Sequence, residues 1–403
     1  MQQTWRWFGP TDRVTLSDAR QAGAVAIVTA LHEIPIGETW TVEAIKKRQD
    51  AVRAAGMEWT VVESLVVSER IKLREPGYEK EIGHYIESLR NLASCGIHIV
   101  AYNLMPLFSW MRTELNFPLA SGATTMRFDA TAFAAFDVCM LKRRGAEGDW
   151  GEDRSRAAYA LFSEMSVPQR DKLMSTILQG LPGGNGAFTL DEVRSLLDRY
   201  RGINADDFRS NAAAFLQEVC PVAEQLGMRL CVHPDDPPRN LLGLPRIVST
   251  ADDLARLLSL WPGNSNGITF CAGSLGVRAD NDLIAMVRRF AHRIWFAHLR
   301  STQREADTES FFEAAHLEGD ADLIEIVIEL LQEERRRQAA GDRLALPFRA
   351  DHGQELLTDK EREAHPGYPA VGRLRGLAEL RGVARACERI CPGPKPERFG
   401  LSG

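Results

Sequence analysis

The sequence lacks several features that would place it outside the class of ordinary globular enzymes. It has no basic excess, since 49 Lys and Arg against 55 Asp and Glu give a formal net charge of -6. This balance excludes the basic footprint of a nucleic-acid-binding protein. No run approaches the roughly 20 consecutive apolar residues of a membrane span. The seven cysteines are scattered without a Cys-x-x-Cys pair, which favours a reducing compartment. We therefore expect a cytoplasmic protein that binds neither nucleic acid nor membrane.

What the sequence does contain is an alternation of short apolar runs with longer amphipathic stretches. The runs predict eight strands, each followed by a helix, at about 4–8, 24–31, 59–64, 97–103, 228–233, 268–271, 294–298 and 346–351. Alternation of this kind indicates parallel pairing, and eight such units close a (β/α)8 barrel. A doubly wound open sheet is the rival, but no Gly-x-Gly-x-x-Gly follows the first strand. We predict an α/β TIM barrel as a single domain spanning residues 1–403.

One long segment interrupts this rhythm after the fourth strand. Residues 107–207 carry helix signals on both sides of a glycine-rich break at 180–186. The segment is too long for an ordinary connection between a strand and a helix. We therefore predict a mainly helical insertion that covers the active-site rim of the barrel.

Each of the last four predicted strands is closed by a residue able to bind a metal. These residues are His233, Cys271, His298 and Asp351. In a closed parallel barrel the C-terminal strand ends share one rim, so the four side chains should converge. Imidazole, thiolate and carboxylate together suit a divalent transition metal rather than calcium, and ligand type alone would fit zinc. A metal that accepts five or six ligands would keep open positions able to chelate a hydroxy acid.

Four further residues are candidates for binding a substrate. Arg300 shares the parity of His298, so it should face the metal and could grip a carboxylate; a surface ion pair is the alternative. His32 and Asn103 end the second and fourth predicted strands. Arg112 opens the insertion and could reach into the site as part of a lid. For each of these three, a purely structural or solvated role stays open.

Longer motifs lie on the separate predicted strands and the loops after them. They are WRWFGP at 5–10, VTALHEIP at 28–35, YNLMP at 102–106, VHPDDPP at 232–238, GVRADND at 276–282, HLRST at 298–302 and DHG at 351–353. Together they closely resemble the D-mannonate dehydratase family of metal-dependent, xylose-isomerase-like barrels. The similarity extends from about residue 4 to residue 389, which is nearly the whole chain.

The resemblance implies dehydration of D-mannonate to 2-keto-3-deoxy-D-gluconate, a hydro-lyase step in hexuronate breakdown. It implies one Mn²⁺ or Fe²⁺ per subunit, held by ligands that map onto the same four strand-end residues. His352 and Tyr368 match the acid/base candidates of the family, and we place Asp351 beside them as catalytic. The chemistry agrees with the residues, since a metal stabilises the charge formed when the proton beside a carboxylate leaves. We also expect a homo-oligomer.

Two departures from the family pattern lie near expected site residues and bear on substrate range. Ser109 stands where an aspartate is expected, and Ala350 and Gln354 flank Asp-His-Gly where proline and histidine are expected. The alternative function is that of a metal-dependent isomerase or epimerase acting on a sugar or sugar acid, whose product would form without loss of water. A non-catalytic sugar-acid-binding protein is a third interpretation.

Overall fold

The computed structural model describes residues 1–179 and 188–390, so the predicted glycine-rich break lies outside the described residues. Twelve strands are present in this part of the chain. They are β1 (Gln2–Arg6), β2 (Ala26–Thr29), β3 (Glu58–Glu63), β4 (Ile99–Asn103), β5 (Glu114–Pro118), β6 (Thr124–Phe128), β7 (Arg229–His233), β8 (Asn266–Cys271), β9 (Ile294–His298), β10 (Thr302–Arg304), β11 (Phe311–Glu313) and β12 (Pro347–Arg349).

Eight of these strands form a closed barrel in the order β1-β12-β9-β8-β7-β4-β3-β2. Every pairing around the barrel is parallel. The eight barrel strands correspond to the eight predicted from the sequence, although β12 ends at Arg349, two residues earlier than expected. The predicted TIM barrel is confirmed.

Helices surround the barrel and connect its strands. They are α1 (Leu16–Gln21), α2 (Val42–Ala54), α3 (Glu69–Leu73), α4 (Tyr78–Ser94), α5 (Ala130–Ala135), α6 (Ala146–Glu164), α7 (Val167–Gln179), α8 (Leu190–Arg199), α9 (Ala205–Gln225), α10 (Ala251–Leu260), α11 (Ala272–Leu275), α12 (Leu283–Phe290), α13 (Leu323–Ala339) and α14 (Ala370–Ile390). Side-chain caps stabilise the N-termini of several helices. In α10, Thr250 and Asp253 form a reciprocal capping box. Among the described residues, no helix is both long and apolar enough to cross a membrane.

Alternation along the strands decides where polar residues enter the barrel. Its interior holds a separate apolar cluster that includes Val61, Ala101, Cys231 and Phe296. Successive side chains of a strand point to opposite faces, so residues two positions further on return to the interior. Those residues, each at the C-terminal end of its strand, are Glu63, Asn103, His233 and His298. The apolar layer therefore supports a polar layer at the C-terminal rim.

The insertion contains a feature that the sequence analysis did not predict. It holds the helices α5 to α8, as expected, but it begins with the hairpin β5–β6. This hairpin joins β10 and β11 from the loop after β9 in an antiparallel sheet of order β10-β11-β6-β5, hereafter the small sheet. Strands this short and half-exposed have weak sequence signals, because their pairing partner lies almost 200 residues away along the chain.

Candidate metal and active site

Four side chains at the C-terminal ends of β7, β8, β9 and β12 converge at the rim. His233 Nε2 lies 3.1 Å from His298 Nδ1, and Asp351 Oδ2 lies 3.7 Å from the same nitrogen. Cys271 Sγ is 3.8 Å from Asp351 Oδ2. Candidate ligand atoms of His233, Cys271 and His298 all lie within 4.8 Å of one another. The structure brings together all four residues that the sequence analysis selected as metal ligands.

Strand register accounts for the alignment of two of these ligands. Cys271 and His298 are direct partners in the β8–β9 pairing, while His233 is opposite Asn103 in the β4–β7 pairing. Parallel strands in register carry such residues to the same height in the barrel. Backbone hydrogen bonds between strands therefore fix the positions of His233, Cys271 and His298.

Asp351 reaches the site through a change of backbone direction just beyond β12. The change occurs at Asp351 itself, which has a left-handed φ of 65°. Gly353, two residues further on, is required by packing: a Cβ atom there would lie 2.7 Å from the backbone nitrogen of Arg373. The glycine is needed because α14 packs closely against this loop. The Asp351 carboxylate stays near the neighbouring ring, with Oδ1 3.8 Å from His352 Nε2.

The donor set fits a divalent cation. His233 Nδ1 lies 2.7 Å from the carbonyl oxygen of Pro234; because that oxygen only accepts, Nδ1 carries the proton and Nε2 is left as a ligand. Cys271 Sγ accepts hydrogen bonds from the Ser274 amide at 3.4 Å and the Ser274 hydroxyl at 3.2 Å. Such donors stabilise the thiolate, the form of cysteine that binds metals.

Arg349, which the sequence analysis did not select, lies between two buried carboxylates. It forms an ion pair with Asp351, and its Nη2 donates to Glu63 Oε1 at 2.9 Å. Burial alone would raise the pKa of Asp351, but the charges of Arg349, His352 and His298 outweigh this effect and hold the pKa well below its usual range. Asp351 is therefore ionised at neutral pH and supplies an anionic oxygen ligand.

Glu63 is placed to orient one of the metal ligands. The Nε2 atom of His298 lies 3.1 Å from Arg349 Nε and 3.5 Å from Glu63 Oε1. A neutral imidazole has one N–H, so Nε2 either accepts from Arg349 or donates to Glu63. Use of Nδ1 as a metal ligand requires the second arrangement, the carboxylate–histidine pair common around bound metals. Binding of a metal through Nδ1 would therefore require the His298 tautomer that donates Nε2–H to Glu63, in place of the one that accepts from Arg349.

A buried ion network lies beside the four ligands and includes two of the predicted substrate-binding residues. Asp236 accepts from Arg112 Nη1 at 2.9 Å and from Arg300 Nη1 at 2.7 Å. Glu313, from β11, accepts from Arg112 Nη2 at 2.8 Å and from Arg300 Nε at 2.7 Å. Removing one member of such a network leaves an uncompensated buried charge, which costs about 3–5 kcal/mol. The surface ion pair weighed for Arg300 is excluded, because the side chain is 2% exposed.

This network predicts how the fold responds to acid. Burial alone would raise both carboxyl pKa values, but Arg300, His352 and Arg112 outweigh it and set the pKa of Glu313 at about 2. Arg112 and Arg300 likewise hold the pKa of Asp236 below its ordinary value. Because the folded pKa values are depressed, this stabilisation is complete above the unfolded values of roughly 4 and is lost as pH falls towards 2.

We therefore expect the free energy of unfolding, measured with urea, to be smaller at pH 3 than at pH 6. The double variant Asp236→Asn/Glu313→Gln removes both titrating groups, so its unfolding free energy should fall less over the same interval. Equal falls in the two proteins would show that these carboxylates contribute nothing to acid sensitivity.

A cavity opens beside the candidate ligands. Its lining combines the metal-site residues His233 and Asp351 with other predicted site residues, namely Asn103, Arg300, His352 and Tyr368. Arg112 is not part of this lining; it meets the site indirectly through Asp236 and Glu313. His32 lines a neighbouring cavity that shares Ser64 with this one.

His352 and Tyr368 lie against each other at the cavity wall. Their ring centroids are 5.1 Å apart in an edge-to-face arrangement, and both side chains are buried. Burial raises the pKa of Tyr368 to about 12, so its phenol is protonated at neutral pH. The pair offers a proton donor next to an imidazole within one cavity.

The departures from the family pattern occupy different surroundings. Ser109 lines the cavity, so it faces the position that a substrate would take. Ala350 is buried, and its carbonyl oxygen lies 2.7 Å from His316 Nε2. Gln354 points its amide towards the Glu313 carbonyl at 3.4 Å. Of the three, Ser109 is the one in direct contact with the cavity.

Some site residues could have been found from the sequence and others could not. Glu63 and Arg349 carry the same signal as the ligands, a charged residue with interior parity near the C-terminal end of a strand. Asp236, in the loop after β7, binds both buried arginines of the network, a role that its position in the sequence does not indicate. Glu313 had no usable signal, because its short strand depends on pairing with the insertion.

Comparison with known proteins agrees with this geometry. The family model described as D-mannonate dehydratase (UxuA) matches residues 1–392. A mannonate dehydratase of Chromohalobacter salexigens is 51% identical over 390 residues, covering 97% of this chain and 100% of the relative. A mannonate dehydratase of Marinomonas sp. (strain MWYL1) is 49% identical over 383 residues, covering 95% of this chain and 98% of the relative.

Solved structures resemble the fold at two levels. Mannonate dehydratase from Streptococcus suis serotype 2 superposes with a TM-score of 0.76 at 29% identity, over 100% of this chain and 99% of that one. A D-allulose 3-epimerase from Methylomonas sp. has a TM-score of 0.51 at 10% identity, over 95% and 97%. The second likeness extends to the barrel fold alone and does not favour the epimerase alternative. On sequence and structure together, the chain belongs to the D-mannonate dehydratase family of hydro-lyases, as its strand-end motifs predicted.

Proposed function

We propose that this site removes water from D-mannonate to give 2-keto-3-deoxy-D-gluconate, with one divalent cation held by His233, Cys271, His298 and Asp351. The observation that carries the proposal is the convergence of these four donors beside the cavity, which His233 and Asp351 line together with His352 and Tyr368. A metal-binding wall facing acid/base groups is what elimination next to a carboxylate requires.

The reaction breaks two bonds of the substrate. The proton on C2 leaves to a base, the electron pair of that C–H bond forms the C2–C3 double bond, and the C3–O bond breaks. The departing oxygen takes a proton and leaves as water, and the resulting enol becomes the 2-keto acid. When bound, the cation supplies Lewis acidity that polarises the substrate carboxylate and 2-hydroxyl and so acidifies the C2 proton.

His352 and Tyr368 divide the two proton transfers in this proposal. The raised pKa of Tyr368 keeps its phenol protonated, which supports Tyr368 as the acid that protonates the leaving hydroxyl. His352 is then the base for the C2 proton, because its imidazole lines the cavity next to Tyr368 and can accept a proton on a ring nitrogen. Asp351 participates in catalysis as a ligand rather than as a proton carrier, since Arg349 and His298 favour its ionised form.

The remaining predicted residues have supporting roles. Arg300 Nη2 is a buried donor without a hydrogen-bond partner among residues 1–179 and 188–390, and the Arg300 side chain lines the cavity. In this proposal Arg300 therefore binds the substrate carboxylate. Asn103 would contact the substrate hydroxyls, and His32 the end of the substrate that extends towards the adjoining cavity. Arg112 would act through Asp236 and Glu313.

Arg300→Lys tests the carboxylate assignment. Lysine retains the positive charge that Asp236 and Glu313 require but loses the forked guanidinium, so folding should persist while the substrate loses a charge-assisted hydrogen bond. We expect kcat/KM on D-mannonate to fall about 10–100-fold, since hydrogen bonds to charged groups contribute roughly 1.5–3 kcal/mol. Arg278→Lys, at a partly exposed arginine paired with Asp280, is the matched control. Equal values for Arg300→Lys and the control would remove Arg300 from substrate binding.

The insertion completes the site in this proposal. Ser109 and Trp110 line the cavity, Trp110 bridges to Asp236, and Thr124 bridges to Glu355 beyond β12. These contacts support the proposal that residues 107–207 cover the rim and exclude water from the bound acid.

The donor set also limits the cofactor. Two imidazoles, a thiolate and a carboxylate suit a borderline transition metal, and we propose Mn²⁺ or Fe²⁺. A cytoplasmic location and a homo-oligomeric assembly stay predictions from the sequence, and sedimentation of the purified protein measures the second.

Product identity tests the proposed reaction against its alternative. Metal-reconstituted protein is incubated with D-mannonate in D2O, and the product is identified by mass spectrometry and NMR. Dehydration should yield a 2-keto-3-deoxy acid with one deuterium at C3, because the enol takes that proton from solvent. An isomer or epimer of mannonate, formed without loss of water, would establish the isomerase alternative instead.

A further inference from the structure

Glu313 makes a contact that the proposed reaction has not used. Its Oε1 lies 3.1 Å from His352 Nδ1, on the edge of the ring that Nε2 does not occupy. Both residues are buried, Glu313 to 2% exposure of its side chain and His352 to 4%. The contact joins β11 of the small sheet to the loop after β12, two elements that are separated in sequence by 39 residues.

The charge state of Glu313 determines the direction of this hydrogen bond. Burial alone would raise its pKa, but Arg300, His352 and Arg112 hold the pKa at about 2, so the carboxylate is ionised at neutral pH. An ionised carboxylate only accepts hydrogen bonds, so the proton between the two groups belongs to His352 Nδ1. In the neutral imidazole, Nε2 then carries no proton and is a base.

The two arginines hold Glu313 in place for this contact. Arg300 Nε donates to Oε2 at 2.7 Å and Arg112 Nη2 donates to Oε1 at 2.8 Å. Asp236 binds the same two arginines and the Ser274 hydroxyl, but within residues 1–179 and 188–390 it forms no hydrogen bond or ion pair with His352. Glu313 and Asp236 are therefore alike in charge and pairing and differ in their access to His352.

We propose that Glu313 is a positioning residue for His352: it accepts the Nδ1 proton, fixes the ring and leaves Nε2 as the atom that takes the proton from the substrate. This inference rests on the proposed role of His352 as the base. It also gives the small sheet a function, because the pairing of β11 with β6 of the insertion places Glu313 against the imidazole.

Kinetics of paired variants test the inference. Glu313→Gln removes the charge, and its one amide oxygen cannot serve Arg112, Arg300 and His352 together, so kcat on D-mannonate should fall about 10–100-fold. KM is expected to rise as well, because Glu313 also pairs with Arg300, so the positioning role is judged from kcat. In a His352→Gln background the same change should lower kcat by less than about 2-fold, since residues that act through one another give non-additive losses.

Asp236→Asn is the matched control, because it removes one carboxylate from the same two arginines. Whatever factor it costs, that factor should be the same in the wild-type and His352→Gln backgrounds. If Glu313→Gln fails to fold, Glu313→Asp retains the charge for the arginines but shortens the reach to His352, and the same non-additivity is expected. Full multiplication of the Glu313 and His352 losses would overturn the inference.

A spectroscopic measurement separates this inference from the proposed function. In ¹⁵N-histidine-labelled, zinc-loaded protein, His352 is identified by the signals that disappear in His352→Gln. We expect a protonated Nδ1 and an unprotonated Nε2 in the wild-type protein and a mixture of tautomers in Glu313→Gln. A His352 tautomer unchanged by Glu313→Gln would contradict the positioning role. If His352→Gln leaves turnover intact while the tautomer depends on Glu313, the proposed catalytic role fails and the contact itself is upheld.

Discussion

Replacing His352 with glutamine is expected to lower kcat on D-mannonate by ~100-fold or more, the usual scale for a general acid or base. The physical reason is that glutamine approximates the size and polarity of the ring but cannot take a proton from carbon. His352 lines the cavity beside Tyr368 and is not one of the four candidate metal ligands. The variant should therefore still bind one cation per chain.

Metal content and rate are measured on the same preparation, with His292→Gln as the control for an exposed histidine outside the site. Loss of metal in His352→Gln would assign His352 to the coordination sphere instead. Retention of both metal and full rate would move the proton transfer to another residue, with Tyr368 the first candidate.

The second large effect concerns the ligands themselves. Cys271→Ser and Asp351→Asn should each weaken cation binding by ~100-fold or more, at the upper end of what the loss of a supporting residue around a metal costs. Serine replaces a thiolate with a neutral hydroxyl, and asparagine removes the anionic charge that Arg349 and His298 favour at Asp351. Turnover should fall in parallel at a fixed, limiting cation concentration.

Cys95→Ser is the matched control for the first of these variants, because Cys95 lies at the end of α4, away from the cavity. Adding excess Mn²⁺ should restore part of the rate to both ligand variants, because binding is weakened while His352 and Tyr368 remain. A Cys271→Ser protein with unchanged affinity for the cation would exclude the thiolate from the site.

The barrel and the ligand set were predictable because each depends on a local and repeated signal. Eight short apolar runs followed by amphipathic helices indicate the fold. Because the C-terminal ends of parallel barrel strands share one rim, residues such as His233 and His298 are predicted to lie close together. Arg349 and Glu63 obey the same parity rule. Glu63 lies two residues after the interior Val61, and Arg349 lies two residues before Asp351, so the sequence does indicate that both face the barrel interior.

Other parts of the site depend on contacts that no local pattern records. The small sheet forms from strands as short as three residues that meet across the insertion, so neither the sheet nor Glu313 could be placed in advance. The left-handed backbone at Asp351 likewise has no local signal, because glycine is the residue that adopts this conformation most easily. In the structure the Asp351 carboxylate pairs with Arg349 and lies 3.7 Å from His298 Nδ1.

The central claim is that one cation, bound by His233, Cys271, His298 and Asp351, is required for removal of water from mannonate. The most direct test is to add Mn²⁺ stepwise to chelator-treated protein and to measure the initial rate of 2-keto-3-deoxy acid formation at each ratio. We predict no product in the metal-free protein and a rate that rises linearly and saturates at one equivalent per chain. An undiminished rate without metal, or saturation at two equivalents, would contradict a single catalytic cation.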